Sequence, residues 1–195
     1  MQGLVNRAIQ RFVVDSYGAS KWVVAARRAK VGFVDFEPML NYDDELTERV
    51  LDAVCEVLDR SRNELMEDIG TYLVSHPNLE PLRRLLRFGG VDFLDFLHSL
   101  DDLPDRARLA VSGLVLPQLE LRQVDAHAYC LTCVGNIPGS GHLFMGVLRG
   151  MADDYGALVF LDYRGQADGV ETISVALLDT EFAEGRGFEL SAQVS

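Results

Sequence analysis

Four residues in one stretch carry side chains that bind metals: His127, Cys130 and Cys133 in an H-x2-C-x2-C spacing, with His142 further on. Imidazole and thiolate are zinc ligands, and a close cysteine pair is also a candidate for redox response. The residues around them alternate as a β-strand does. On a strand, separations of three put His127 and Cys130 on opposite faces, and Cys130 and Cys133 likewise. Either chemistry therefore needs a bend or bulge. Two small apolar side chains facing different sides is the reading the period favours. A second candidate is His98, within Phe96-Leu97-His98-Ser99-Leu100-Asp101-Asp102-Leu103-Pro104. On a helix surface a histidine there is unexceptional. No nucleophile elbow, P-loop or metalloprotease helix occurs in the chain, and the expectation is a protein without catalysis of its own.

The elements that must position these residues change character midway. Val5, Ile9, Phe12 and Val13 share a helical face up to Tyr17-Gly18, and a second short helix is predicted over 20–29, burying Trp22 and Val23. The aromatic, Pro-containing stretch 31–42 reads as an ordered connection. Asp43, Asp44 and Glu45 then fall in the first turn of a helix, where the macrodipole favours acids, with Leu46, Val50, Val54 and Leu58 as its apolar stripe. Ser61 and Glu64 form a capping box, opening a helix to about residue 73. His76-Pro77-Asn78 breaks it, and a short helix with Leu82, Leu85 and Leu86 stops at Phe88-Gly89-Gly90. After Gly113 strands are predicted over 118–124 and 127–134, turning at Asp125-Ala126. A Gly- and Pro-containing loop over 135–141 and an amphipathic helix over 143–155 follow. Two more strands, over 157–163 and 170–178, are joined by a turn over 164–169. The predicted class is α+β: a helical N-terminal half packed on a half with a roughly four-stranded antiparallel sheet and a helix.

Composition narrows the function classes. The chain has 195 residues, 48% hydrophobic and 25% charged, the balance of one sizeable folded core. A net charge of -12 excludes a general nucleic-acid binder, which needs a basic face to meet phosphate. The basic runs at Arg27-Arg28 with Lys30 and at Arg83-Arg84 with Arg87 read as solvated helix faces. No long uncharged apolar stretch suggests a membrane span, and the N-terminus lacks a signal peptide's pattern. Three cysteines give no even disulfide framework, which points to a reducing cytoplasm.

Several motifs, in order, carry a resemblance. Met1-Gln2-Gly3-Leu4-Val5-Asn6-Arg7-Ala8, Tyr17-Gly18 with Trp22, Asn41-Tyr42-Asp43-Asp44, the Phe96–Pro104 run, Pro117 and Gly146-Val147-Leu148-Arg149-Gly150 span roughly residues 1–160. Together they resemble haem nitric oxide/oxygen-binding (H-NOX) domains, whose members include the sensor domain of soluble guanylate cyclase. The resemblance implies one domain over 1–180, with a distal helical part over 1–60 and a proximal α+β part over 61–180. A loosely ordered tail over 181–195 completes the chain. It also implies a haem cavity lined by Leu4, Val5, Ile9, Leu97, Leu100, Leu116, Leu143 and Phe144, and a haem-contacting proline at Pro117, thirteen residues after Pro104.

The departures fall on the chemistry. The family's F-L-x-x-L-D-x-L run ends in the histidine that ligates haem iron, and Pro104 stands at that place. The propionate motif Y-x-S-x-R would fall at Cys133, Gly135 and Ile137, or at Val134, Asn136 and Pro138, and neither register supplies it. An iron ligand and a guanidinium partner are both missing. His98, six residues before Pro104, is an alternative ligand, but on a continuous helix it points about 120° from the ligand face. Pro104 followed by Asp105 suits the first turn of a new helix, which predicts a break there. The expectation is a cytoplasmic sensory or regulatory module without a standard haem cofactor. It would signal to a protein such as a bacterial histidine kinase or diguanylate cyclase. Two alternatives stand beside it: a gas sensor with haem on His98, His142 or a cysteine, and a sensor of another small apolar ligand. The former cavity is either such a pocket or a filled core, since an empty one destabilises by roughly 24 cal/mol per Å3.

Overall fold

The computed structural model of the protein describes residues 3–110, 116–135 and 139–188. It divides into two compact units, residues 1–69 and 70–195. The division falls inside a helix, α4 (Arg62–Ser75), nine residues beyond the boundary read from the sequence at 60/61.

In the first unit α1 (Gly3–Tyr17), α2 (Ala19–Arg28) and α3 (Asp44–Leu58) pack on one another. Ile9, Phe12 and Val13 of α1, Trp22 and Ala25 of α2, and Val50 and Val54 of α3 are buried, as their helical spacing requires. Val23 is not: it is 40% exposed, because α2 presents Trp22, Ala25 and Ala26 inward, a narrower stripe than the sequence suggests. The connection over 31–42 is ordered by side chains. Gln10 accepts from the Phe36 amide at 3.0 Å and donates to the Val34 carbonyl. Trp22 donates to the same carbonyl at 2.8 Å, and Phe36 meets Tyr42 edge-on at 4.9 Å. Asp43 is the residue before α3 and makes no side-chain cap; Asp44 and Glu45 are the acids of the first turn. The capping box forms reciprocally, the Ser61 amide donating to Glu64 at 2.8 Å and the Glu64 amide to Ser61 Oγ at 3.3 Å.

The second unit carries a short 3-10 turn (Pro77–Leu79), α5 (Glu80–Arg87), α6 (Phe93–His98), α7 (Leu103–Ala110) and α8 (Ser140–Tyr155). Strands β1 (Gln118–Asp125), β2 (Ala128–Val134), β3 (Leu158–Ala167) and β4 (Val170–Asp179) form one antiparallel sheet in the order β1-β2-β4-β3. Tyr129, Leu131 and Cys133 of β2 alternate inward, as do Glu171, Ile173, Val175 and Leu177 of β4. They join Phe144, Leu148 and Met151 of α8 and Phe93, Phe96 and Leu97 of α6 in one apolar core. Two sequence readings shift here. The first hairpin turns at Ala126-His127, one residue later than expected, with a register irregularity between Gln123 and Asp125. The expected six-residue turn over 164–169 is mostly strand: β3 runs on past a bulge at Gly165, leaving Asp168-Gly169 as a two-residue turn. Both turn residues have positive φ, 53° and 79°, the geometry that Asp-Gly supplies in tight hairpins.

Residues 181–188 have no helix or strand, yet the backbone of Ala183 donates to the Gly156 carbonyl and that of Arg186 to the Asp154 carbonyl. This part of the segment read as a loose tail is held against the end of α8. Residues 189–195, Met1, Gln2 and Gly113 lie outside the described residues.

Candidate functional site

The helix break at Pro104 is formed by local chemistry. Asp92 opens α6 by accepting from the Asp95 amide at 2.8 Å, and α6 ends at His98. After Asp101-Asp102, α7 begins at Leu103, so Pro104 lies in its first turn. The Arg106 amide donates to the Asp102 carbonyl at 3.0 Å, and a proline two residues earlier leaves no helical hydrogen bond unmade. Arg106 spans the break, donating to the Ser99 carbonyl and hydroxyl at 3.0 and 3.1 Å. Pro104 is buried and offers no donor atom. His98 is exposed at the end of its helix, edge-on to Tyr129 with centroids 5.9 Å apart. The 120° separation assumed one continuous helix; with two helices that reckoning does not hold.

The residues read as a cavity lining are distributed over both units. Leu4 and Val5 are half-buried and Ile9 buried in the first. In the second, Leu97, Leu100 and Phe144 are buried parts of the packed core, while Leu116 and Leu143 are half-buried. Pro117 is buried beside Gly135, at the end of β1 and β2. The metal-type residues are not convergent. Cys133 is fully buried on the core face of β2, Cys130 is on the other face, and His127 is exposed in the turn. Among the described residues no group of three His, Cys, Asp or Glu side chains is placed to hold a metal ion.

What the structure does assemble at this end of the sheet is a buried acid. Glu171, 4% exposed, enters from β4 directly opposite Cys133 in the ladder. Its carboxylate accepts from Ser140 Oγ at 2.9 Å, the Gly141 amide at 3.0 Å and the Tyr163 hydroxyl at 3.0 Å. Burial pushes the Tyr163 hydroxyl up to about 12, and its hydrogen bond to Glu171 adds to this. Burial likewise raises the Cys133 thiol to about 12, with the Glu171 charge as a lesser cause. His142 lies on the Tyr163 ring, centroids 4.1 Å apart, and both its ring nitrogens are buried without a hydrogen-bond partner. A second buried acid, Asp154, lies in the last turn of α8. Arg83 donates to it at 2.7 Å and Arg87 approaches at 3.5 Å, while Arg87 stacks on Tyr155 at 3.9 Å. Three residues considered for the propionate motif, Asn136, Ile137 and Pro138, lie outside the described residues.

Sequence reasoning missed both acids. The available signal was phase: Glu171 shares the strand face of Ile173 and Val175, and Asp154 lies three residues beyond Met151 on the inner face of α8.

The sequence profile of the haem-NO-binding family matches residues 2–160. The chain belongs to the haem-NO-binding (H-NOX) family. It is similar to soluble guanylate cyclase gcy-31 of Caenorhabditis elegans, 23% identical over 154 residues, which covers 79% of this chain and 22% of that protein. It therefore spans about a fifth of that relative's length. Solved H-NOX structures share the fold. A point mutant of the T. tengcongensis H-NOX matches with a TM-score of 0.75 at 19% identity, covering 92% of this chain and 99% of that one. An oxygen-binding H-NOX domain related to soluble guanylate cyclases matches with a TM-score of 0.66 at 18% identity, covering 96% and 100%. The α+β architecture is that of an H-NOX domain, a sensor-domain family.

Haem held in the family's manner needs an imidazole on the iron and cationic partners for the propionates. Buried Pro104 supplies no ligand atom. At the sheet end the described groups include a neutral thiol, the His142 ring and a carboxylate that already accepts from Ser140, Gly141 and Tyr163, and that carboxylate repels another acid. Among the described residues, the position matched to the family's iron ligand and the described propionate-register positions, Cys133, Gly135 and Val134, offer no imidazole and no guanidinium for haem bound in that way.

Proposed function

We propose that this chain is a non-catalytic sensory or regulatory domain that works without haem in the family's standard mode and signals through a protein partner. The observation that carries this reading is Pro104, a buried residue in the first turn of α7, at the place where the family's motif calls for a histidine. The absence of a guanidinium from either register of the propionate motif supports it independently. The fold is kept while the two chemical requirements of haem capture are not. The partner is a cytoplasmic signalling protein of the histidine kinase or diguanylate cyclase type, and no described helix is long and apolar enough to cross a membrane. Expressed in haem-supplemented cells, the purified chain is expected to lack a Soret band and iron. A stoichiometric Soret band would overturn the reading.

A second reading keeps haem on a different ligand. His142 favours it, because both ring nitrogens are buried and unpartnered. That reading requires His142→Ala to abolish a Soret band present in the unaltered chain.

A further inference from the structure

A polar segment without helix or strand stays in solvent unless something ties it down, and residues 183–188 are tied to the end of α8. The Ala183 amide donates to the Gly156 carbonyl at 3.0 Å and the Arg186 amide to the Asp154 carbonyl at 2.9 Å. The Arg186 guanidinium lies 3.7 Å from the Asp154 carboxylate, and the Gly187 carbonyl accepts from Arg83 of α5 at 3.2 Å. Two glycines permit the close fit. A Cβ on Gly156 would run into the Ala183 carbonyl, and one on Gly185 would lie 2.8 Å from the Asp154 carbonyl oxygen. The same place is joined to α6. The Arg87 guanidinium meets the Phe188 ring at 5.1 Å and the Tyr155 ring at 3.9 Å. Tyr155 in turn packs on Phe93 and Phe96 of α6 at 6.3 and 6.1 Å, and its hydroxyl donates to the Gly90 carbonyl at 2.9 Å.

We propose that residues 183–188 are a releasable strap, closed over the Asp154 end of α8, which opens when α6 shifts and so passes the domain's state to the residues after Phe188. The base of the device is rigid, since Asp154, Phe93 and Phe96 are buried. Its outer part is not: Ala183, Glu184, Arg186 and Gly187 are exposed and held by only a few bonds. A segment of that kind opens locally at far lower cost than the core beneath it. Closed and open strap are thus two discrete arrangements, and the Tyr155–Arg87 contact gives α6 a direct means of biasing them. The inference stands on these contacts and is independent of whether haem is bound.

The test is amide hydrogen exchange followed by NMR. In the unaltered chain the Ala183 and Arg186 amides are expected to exchange more slowly than in a free peptide of the same sequence. Exchange at the free-peptide rate would overturn the strap. Arg186→Gln and Phe188→Ala, both at the surface, should each speed the two amides about fivefold while the α8 amides keep their rates. The link to α6 is read with Tyr155→Phe, which removes only the hydroxyl bonded to Gly90, and with Phe93→Leu, which shrinks the ring packed on Tyr155. Either variant should speed the strap amides more than those of α8. If Phe93→Leu does not fold, Tyr155→Phe decides alone. Strap amides that keep their rates, or that speed up only in step with α8, would overturn the coupling.

Discussion

Pro104 and the two buried acids carry the residue-scale chemistry. Because Pro104 occupies a first-turn position, its fixed φ restricts the unfolded chain without removing a helical hydrogen bond. Pro104→Ala is therefore expected to destabilise by roughly 1–3 kcal/mol, from a freer unfolded chain and the lost burial of the ring, readable as a shift in urea midpoint. An unchanged midpoint would contradict both its burial and its first-turn role. Asp154 is the opposite case. It is buried with Arg83 at 2.7 Å, and Arg83 also meets Glu80 at 2.9 Å and the Gly187 carbonyl at 3.2 Å. Asp154→Ala leaves a buried guanidinium short of its main partner, an expected cost of about 3–5 kcal/mol. Urea unfolding that shows less than 1 kcal/mol would contradict this account of the cluster.

At the scale of elements, α4 and α8 approach closely within the second unit because Gly70 has no side chain. A Cβ there would lie 2.0 Å from the Leu143 carbonyl oxygen, and Thr71 Oγ1 donates to the Gly146 carbonyl at 3.4 Å. Gly70→Ala must push the helices apart, and a reduced yield of folded protein with a lowered melting temperature is the expected outcome. An unchanged melting curve would mean that this contact adapts at no cost. Elements whose cause is local were legible in the chain. The Ser61–Glu64 box, the break at Pro104 and the alternation of β2 each need only neighbours within four residues. The tight Asp168-Gly169 turn was legible too, but Gly165 is a bulge glycine and drew the expected loop too wide. The roles of Glu171 and Asp154 were not legible, since each depends on partners 31 and 71 residues away in sequence. Periodicity places such a side chain inward but cannot say what meets it there.

For the whole molecule, the core sets the response to base. Burial raises Cys133 from 9.0 to about 12, and burial likewise raises Tyr155 and Tyr163 from 10.0 to about 12. Each group holds its proton more tightly folded than unfolded, so stability is full below the unfolded value and is lost as pH rises towards the folded one. The unfolding free energy is expected to fall between about pH 9 and 12, and thiol reagents at pH 8 should leave Cys133 unlabelled until urea opens the fold. Rapid labelling of Cys133 in the folded chain would contradict its burial. The same core unites α6, α8 and the sheet, and it contains Leu97, Leu100 and Phe144, residues that the family resemblance assigns to a haem cavity. The proposed function makes the chain a sensor scaffold retained without its usual cofactor. Its most direct test is the absorption spectrum of the purified chain after reconstitution with excess haem and removal of the unbound fraction. No retained Soret absorbance above that of a non-binding control is expected. One haem per chain, with a Soret band that shifts on adding carbon monoxide, would contradict it.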